Sequence, residues 1–288
     1  MIDLHTHTTY SDGIDTVKEI LKKAENLKLE VISITDHDEI KAYLELKDIN
    51  ISDYYSGKII TGTEITTIHR KIPIEVLAYN IDIDKFKNSL FVTDNKKRLE
   101  AQKKCLRHYI EVGNKLGIKC DQGLKLQNDN EYASLIYLKE IKKYKENYEI
   151  IPDLLNVKEE LFYRLTIGNL DSPFFMDETE NNPSLDFVID EIHRCGGKAF
   201  LAHLYVYEVK DHVEFLKSIL DGTDIDGVEC YYSLYTEKQT NEILAIAKEY
   251  NKYISGGSDY HGKNKRGIEL GVGTGNLNIP SEIINNWN

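Results

Sequence analysis

The sequence predicts an α/β protein, a barrel of parallel strands interrupted by a helical insertion. Short apolar runs alternate with segments of helical period at both ends of the chain, which is the pattern of a parallel sheet. From Thr93 to about Thr166 such runs are nearly absent, and apolar residues recur at helical spacing instead. Polar residues, five of the nine histidines among them, gather where the apolar runs end. In a barrel of parallel strands those ends meet on one face, where active sites are built. At 288 residues with 41% hydrophobic content, the chain can bury one large barrel and carry an insertion.

Taken in order, Ile2 to His7 reads as a strand, in which His5 and His7 project to the same side. Asp12 follows on a turn capped by Gly13. Asp15 or Thr16 caps a helix that carries Val17, Ile20, Leu21, Ala24 and Leu27 on one face. Val31 to His37 is a buried strand, and Glu39 to Leu46 a short helix. Lys58 to Glu64 is a strand ending in a carboxylate, and Ile72 to Tyr79 is a fourth with Glu75 in its middle. The barrel is expected over residues 1–83 and 184–288, and an inserted helical subdomain, a candidate lid, over 84–183. Within the insertion, Leu99, Leu106, Ile110, Leu135, Leu138 and Ile141 keep the helical period, and Gly168 to Pro183 is a loop leading back. Then come a helix from Leu185 to Cys195, a strand from Lys198 to His203 and a helix from His212 to Leu220. A strand from Gly227 to Cys230 places Glu229 at its end. A helix from Glu237 to Tyr250 and a strand from Lys252 to Asp259 lead into Tyr260-His261-Gly262.

Composition removes several function classes. A net charge of −12 argues against charge-driven nucleic-acid binding, so no stable nucleic-acid partner is expected. The four cysteines are far apart and form no Cys-x-x-Cys pair, which reads as buried, reduced thiols of a cytosolic protein. No apolar run approaches the roughly 18–20 residues that cross a bilayer, and no basic stretch with an apolar run opens the chain. A soluble, cytoplasmic protein without a membrane partner is expected.

His5, His7, Asp12, His37, Glu64, His203, Asp259 and His261 make up the strand-end set. Imidazole and carboxylate together suit zinc, manganese or iron. The set exceeds the needs of a single four-coordinate ion and fits two or three ions, with Glu64 or Asp259 bridging. Singly, each residue has an ordinary explanation: a core histidine, a surface acid, or in Ser-Asp-Gly a turn residue. His69, His108, His193 and His212, placed in a loop or in helices, keep that explanation. Just past the last strand, Lys263, Lys265 and Arg266 are candidate phosphate clamps, Arg266 favoured for its bidentate fork. On the first helix of the insertion, Lys96, Lys97, Arg98, Lys103, Lys104 and Arg107 would suit a lid over an anionic substrate, or simply a solvated face.

His5-Thr-His7, Ser11-Asp-Gly13, Thr35-Asp-His-Asp38, Gly62-Thr-Glu64, Ala202-His203 and Gly257-Ser-Asp-Tyr-His-Gly262 together resemble the motifs of the polymerase and histidinol phosphatase (PHP) family. The stand-alone, metal-dependent phosphoesterase branch is the most similar. The resemblance implies a distorted, TIM-like (β/α)7 barrel with a cluster of two or three manganese, iron or zinc ions that hydrolyses phosphate esters. Carried over, His5, His7, Glu64 and Asp259 would hold one ion, Glu64 and His203 a second, and Asp12, His37 and His261 a third. Three departures stand out. Glu75 takes the place of a histidine usual in the branch and is read as a ligand. Ala-His-Leu204 replaces Ala-His-Pro. The insertion lacks the Arg-Pro-His segment common in members that act on nucleotides.

The expected function is a multinuclear metal-dependent phosphoesterase acting on a monoester of a small metabolite or nucleotide. Water activated between ions attacks phosphorus in line, Asp259 accepts its proton, and His261 or the third ion serves the leaving oxygen. The rivals are an exonuclease or phosphodiesterase at 5′ ends, a C–N bond hydrolase of the amidohydrolase type, and a non-catalytic metal-binding regulatory module.

Overall fold

The computed structural model describes residues 1–89, 95–127 and 131–287. Seven strands form one sheet in sequence order: β1 (Ile2–Asp3), β2 (Val31–Ile34), β3 (Lys58–His69), β4 (Ile72–Tyr79), β5 (Lys198–Leu201), β6 (Gly227–Tyr232) and β7 (Tyr253–Gly257). β1 also meets β7: Leu4 N–H donates to Gly256 O (3.2 Å), and Thr6 pairs with Tyr260 in a parallel bridge. The sheet is thus a nearly closed barrel, in keeping with the expected seven-stranded α/β class.

Not all strands run parallel. β4 is antiparallel to both β3 and β5, while the remaining pairs are parallel. β3 and β4 form a hairpin, where the apolar runs had suggested successive parallel strands. Glu64 therefore lies in the middle of β3, not at its end, and Glu229 in the middle of β6. His69 closes β3 instead of sitting in a loop.

Helices cover the sheet where the apolar faces require it. In α1 (Val17–Asn26) Thr16 and Glu19 form a reciprocal capping box, and Val17, Ile20, Leu21 and Ala24 are buried. α2 (Lys41–Lys47) follows β2. After β4 come α3 (Ile83–Phe86), α4 (Asn95–Lys115), α5 (Ala133–Ile141), α6 (Asn147–Ile150), α7 (Pro152–Leu155) and α8 (Glu159–Leu165). α9 (Leu185–Arg194), α10 (His212–Gly222) and α11 (Glu237–Glu249) alternate with β5 to β7. The main core joins α1, α2 and α9 to α11 with the strands. Helices α4, α5, α7 and α8 share a separate core, in which Tyr109 stacks on Tyr137 (4.9 Å between centroids) and on Phe162 (5.7 Å). A smaller cluster ties Leu4, Leu77 and Phe200 to the C-terminal segment, where Trp287 packs on Tyr79 and Phe200.

Thr93, where the helical period was read to begin, and the side chains of Lys96, Lys97 and Arg98 lie outside the described residues. Among the described residues, no helix is long and apolar enough to cross a membrane.

Candidate metal centre

The barrel brings every expected ligand to one place. Glu64 is the hub: its Oε2 lies 3.1 Å from His5 Nε2, 3.3 Å from His7 Nε2 and 3.4 Å from His37 Nδ1, and its Oε1 2.7 Å from His203 Nε2. Asp259 Oδ1 sits 3.6 Å from His5 Nε2, 3.4 Å from His7 Nε2 and 3.3 Å from His261 Nδ1. Asp12 approaches His261 Nε2 (3.1 Å), His7 Nδ1 (3.6 Å) and His37 Nε2 (3.8 Å). Glu75 joins from β4, its Oε2 3.3 Å from His203 Nε2 and its Oε1 3.9 Å from His37 Nδ1.

Backbone geometry and buried polar partners hold these groups. Asp3, at the end of β1, accepts from the Ser258 amide (2.8 Å), the Ser258 hydroxyl (2.6 Å) and the Gly271 amide (2.7 Å), which ties the His5 segment to the Asp259 turn. Asp36 accepts from the Thr8 amide, the Thr8 hydroxyl and the Ser11 hydroxyl, and so fixes the loop that carries Asp12. His203 (φ 24°) and Asp259 (φ 56°) occupy left-handed backbone, the kind of local strain that clusters at functional sites. Glu229 faces His5 Nδ1 at 2.8 Å through Oε1, while its Oε2 accepts from the His203 amide at 2.8 Å. This arrangement leaves His5 Nε2 turned toward Glu64 and Asp259, as a carboxylate does behind a metal-binding histidine.

The donors fit divalent cations. Ligand atoms within 4.8 Å of one another fall into four overlapping groups: His7, Asp12, His37 and His261; His5, His7 and Glu64; His5, His203 and Asp259; His37, Glu64 and Glu75. His7 Nε2 and His203 Nδ1 are buried without a hydrogen bond of good geometry. Such a density of carboxylates and imidazoles is stable only if protons or cations compensate it.

The model of the PHP domain matches residues 3–260. This chain belongs to the PHP family. It is 28% identical to a 5′-3′ exoribonuclease of Haemophilus influenzae, over 99% of this chain and 97% of that one. To the 5′-3′ exoribonuclease Rnm of Salmonella typhimurium it is 23% identical, over 90% of this chain and 84% of that one. A solved structure described as a candidate metal-dependent phosphoesterase, from Bifidobacterium adolescentis, superposes with a TM-score of 0.65 at 22% identity, covering 99% of this chain and 94% of that one. The PHP chain is accordingly an enzyme of the metal-dependent phosphoesterase class.

The electrostatics of this PHP site follow from burial and opposed charge. Burial raises the carboxyl of Asp259, but the charges of Lys265, His5 and His261 outweigh it and hold the group well below the carboxylate range. Glu64 is lowered in the same way by its histidines. His261 is lowered, by burial first and then by the neighbouring His7. Of the cations expected beyond the last strand, Lys265 is the one that reaches the cluster. It pairs with Asp259 and lies 3.0 Å from the hydroxyl of Tyr232, which itself donates to Asp259 Oδ2 (2.7 Å). Lys263 and the favoured Arg266 stand exposed on the same turn.

Two contributors carried no sequence signal. Arg164, from α8, meets Glu75 Oε2 at 2.6 Å, and Tyr207 packs its ring 5.3 Å from the guanidinium. Asp3 and Asp36 were visible as acids beside the strand-end histidines, which is the pattern that could have marked them. The other expected cations of the insertion lie elsewhere: Lys103 pairs with Glu100, while Lys104 and Arg107 line a surface cleft of about 400 Å³ with Glu180 and Asn181.

Proposed function

We propose that this PHP enzyme hydrolyses the phosphoester of a nucleotidic substrate, with the 5′ end of an RNA chain as its polymeric form. The convergence of four histidines on Glu64 supports the phosphoester chemistry. The exoribonuclease names of two relatives covered over most of their length support the nucleotide. RNA is then a transient substrate and not a stable partner, consistent with the acidic net charge of −12.

The proposed ligands are His5, His7, Asp12, His37, Glu64, Glu75, His203, Asp259 and His261, for two or three divalent ions, manganese, iron or zinc. When bound, such ions lower the pKa of water and neutralise phosphoryl oxygens. Asp259 is the proposed catalytic base, its Oδ2 fixed by Tyr232 and Lys265 and its Oδ1 turned to the cluster, where it takes the proton of the attacking water. Nδ1 of His261 donates to the Asp259 carbonyl (3.0 Å), so its Nε2 is the atom that would either ligate an ion, which would then neutralise the leaving oxygen, or, protonated and not ligating, give that oxygen its proton. Lys263 and Arg266, exposed at the same turn, are the proposed contacts of an outer phosphate. Residues 84–183 are the proposed inserted subdomain and lid, and the four free cysteines support a cytoplasmic location.

A phosphatase acting on a small monoester is the second reading, favoured by the compact, mostly buried cluster. Both are tested on protein reconstituted with manganese against a chelated control. The panel holds nucleoside bisphosphates, histidinol phosphate, a 5′-phosphorylated oligoribonucleotide and a lactam. Metal-dependent release of mononucleotides from the oligoribonucleotide is expected. Release of inorganic phosphate alone would replace it with the second reading, and lactam turnover or silence with metal bound would overturn both.

A further inference from the structure

We infer that Arg164 is a positioning residue for Glu75, through which the inserted helices complete the metal centre. The inference rests on the proposed role of Glu75 as a ligand. Glu75 offers its two oxygens to different partners. Oε2 receives the Arg164 guanidinium at 2.6 Å and lies 3.3 Å from His203 Nε2, and Oε1 faces His37 within the group formed by His37, Glu64 and Glu75. A guanidinium bonded to one oxygen fixes the carboxylate rotamer and leaves the other free to ligate.

Arg164 is itself braced. Its guanidinium lies 5.3 Å from the centroid of the Tyr207 ring, a cation–π contact. The Tyr207 hydroxyl accepts from the Glu75 amide (3.0 Å) and donates to Ala202 O (3.0 Å), the residue before His203. One tyrosine thus holds the arginine, the strand that carries Glu75 and the segment after β5 that carries His203. Gly168, three residues past α8, lies between Arg164 and β4: a Cβ there would sit 3.3 Å from Arg164 Cα and 3.5 Å from Pro73 Cγ. The turn after the helix that supplies Arg164 thus runs beside the start of the strand that supplies Glu75.

Undocking α8 would therefore free the Glu75 carboxylate and leave it half-buried beside Glu64 without its cation. Ion binding at the His37–Glu64–Glu75 position and docking of α8 are then linked, and linkage is reciprocal: the ion should hold the helix as the helix holds the ligand.

The test compares the wild type with Glu75→Gln, Arg164→Met and Arg164→Lys, reading bound metal by elemental analysis at limiting manganese and amide exchange over residues 159–165 with and without metal. Glu75→Gln should lose one equivalent. Arg164→Met should bind that equivalent about 10–100-fold more weakly, the usual effect of losing a partner behind a ligand, with Arg164→Lys between. Metal should slow exchange in α8 of the wild type but not of Glu75→Gln. Circular dichroism checks folding, and Arg164→Lys carries the comparison should Arg164→Met unfold. Wild-type metal binding in a folded Arg164 variant, with the equivalent lost in Glu75→Gln, would overturn the coupling and leave Glu75 a ligand. A full complement in Glu75→Gln would overturn both.

Discussion

An imidazole binds a metal ion only through a nitrogen that carries no proton, so the charge states of the buried histidines decide how this centre loads. Burial alone would lower His7, but its contacts with Asp259 and Glu64 and the charge of Asp12 push it up to about 10. His5 and His37 are raised by neighbouring carboxylates against the same burial. In the metal-free protein these side chains hold protons that compensate the acids, and an arriving cation must displace them. Manganese binding at about pH 8 should therefore release protons, with an apparent affinity that rises with pH toward about 10. Calorimetric titration in two buffers of different ionisation heat measures the release, and a binding heat independent of buffer would contradict it. The sign for folding is the opposite. His7 is raised from 6.5 to about 10, so its contribution to the stability of the metal-free chain is complete below 6.5 and lost as pH climbs through 10. At this scale the sequence was informative for residues just past short apolar runs, such as His203 and Asp259. It said nothing of Arg164, which stands 89 residues from Glu75 and meets it only through the packing of α8.

Between elements, the centre depends on how closely β7 approaches the segment after β1. Gly257 lets that happen: a Cβ there would lie 2.3 Å from His5 Cβ and 2.4 Å from His5 N, so any side chain must move the backbone that aims His5. Gly257→Ala should cost about 1–3 kcal/mol of stability, the usual range for overpacking, and weaken metal binding as well. Thermal melting of the metal-free and manganese-loaded protein reads both effects. An alanine variant with unchanged melting in both states would mean that the strands are free to part. The direction of β4 marks the limit of reading elements from sequence. β3 and β4 are joined by Arg70 and Lys71, with φ of 49° and 68°, a two-residue turn that needs left-handed backbone at both positions. Asn or Gly would have announced it, whereas Arg-Lys carries no such signal, and an apolar run reads alike in either direction. α1 was easier, because Thr16 and Glu19 write its start into the local sequence.

For the molecule as a whole, the cations at the centre among the described residues are few and local, while the net charge of −12 acts at longer range. Lys265 and Arg164 are each committed to a carboxylate of the cluster, Asp259 and Glu75. On the proposed nucleotidic reading, long-range attraction would not bring a polyanion to this enzyme, and ions held at the centre would supply local affinity against a repulsive background. Salt shortens the reach of that background to about 8 Å at roughly 0.15 M. For a 5′-phosphorylated oligoribonucleotide, kcat/KM should consequently rise from low salt to about 0.15 M, measured at saturating manganese. Basic nucleic-acid-binding proteins show the reverse, because salt competes with the counterions they release. A mononucleotide, with fewer charges to repel, should show a smaller rise, so the contrast between the two substrates separates screening from any effect of salt on the centre itself. A steep fall confined to the oligomer would instead assign binding to a basic track, and the cleft of Lys104 and Arg107 would be the first place to substitute.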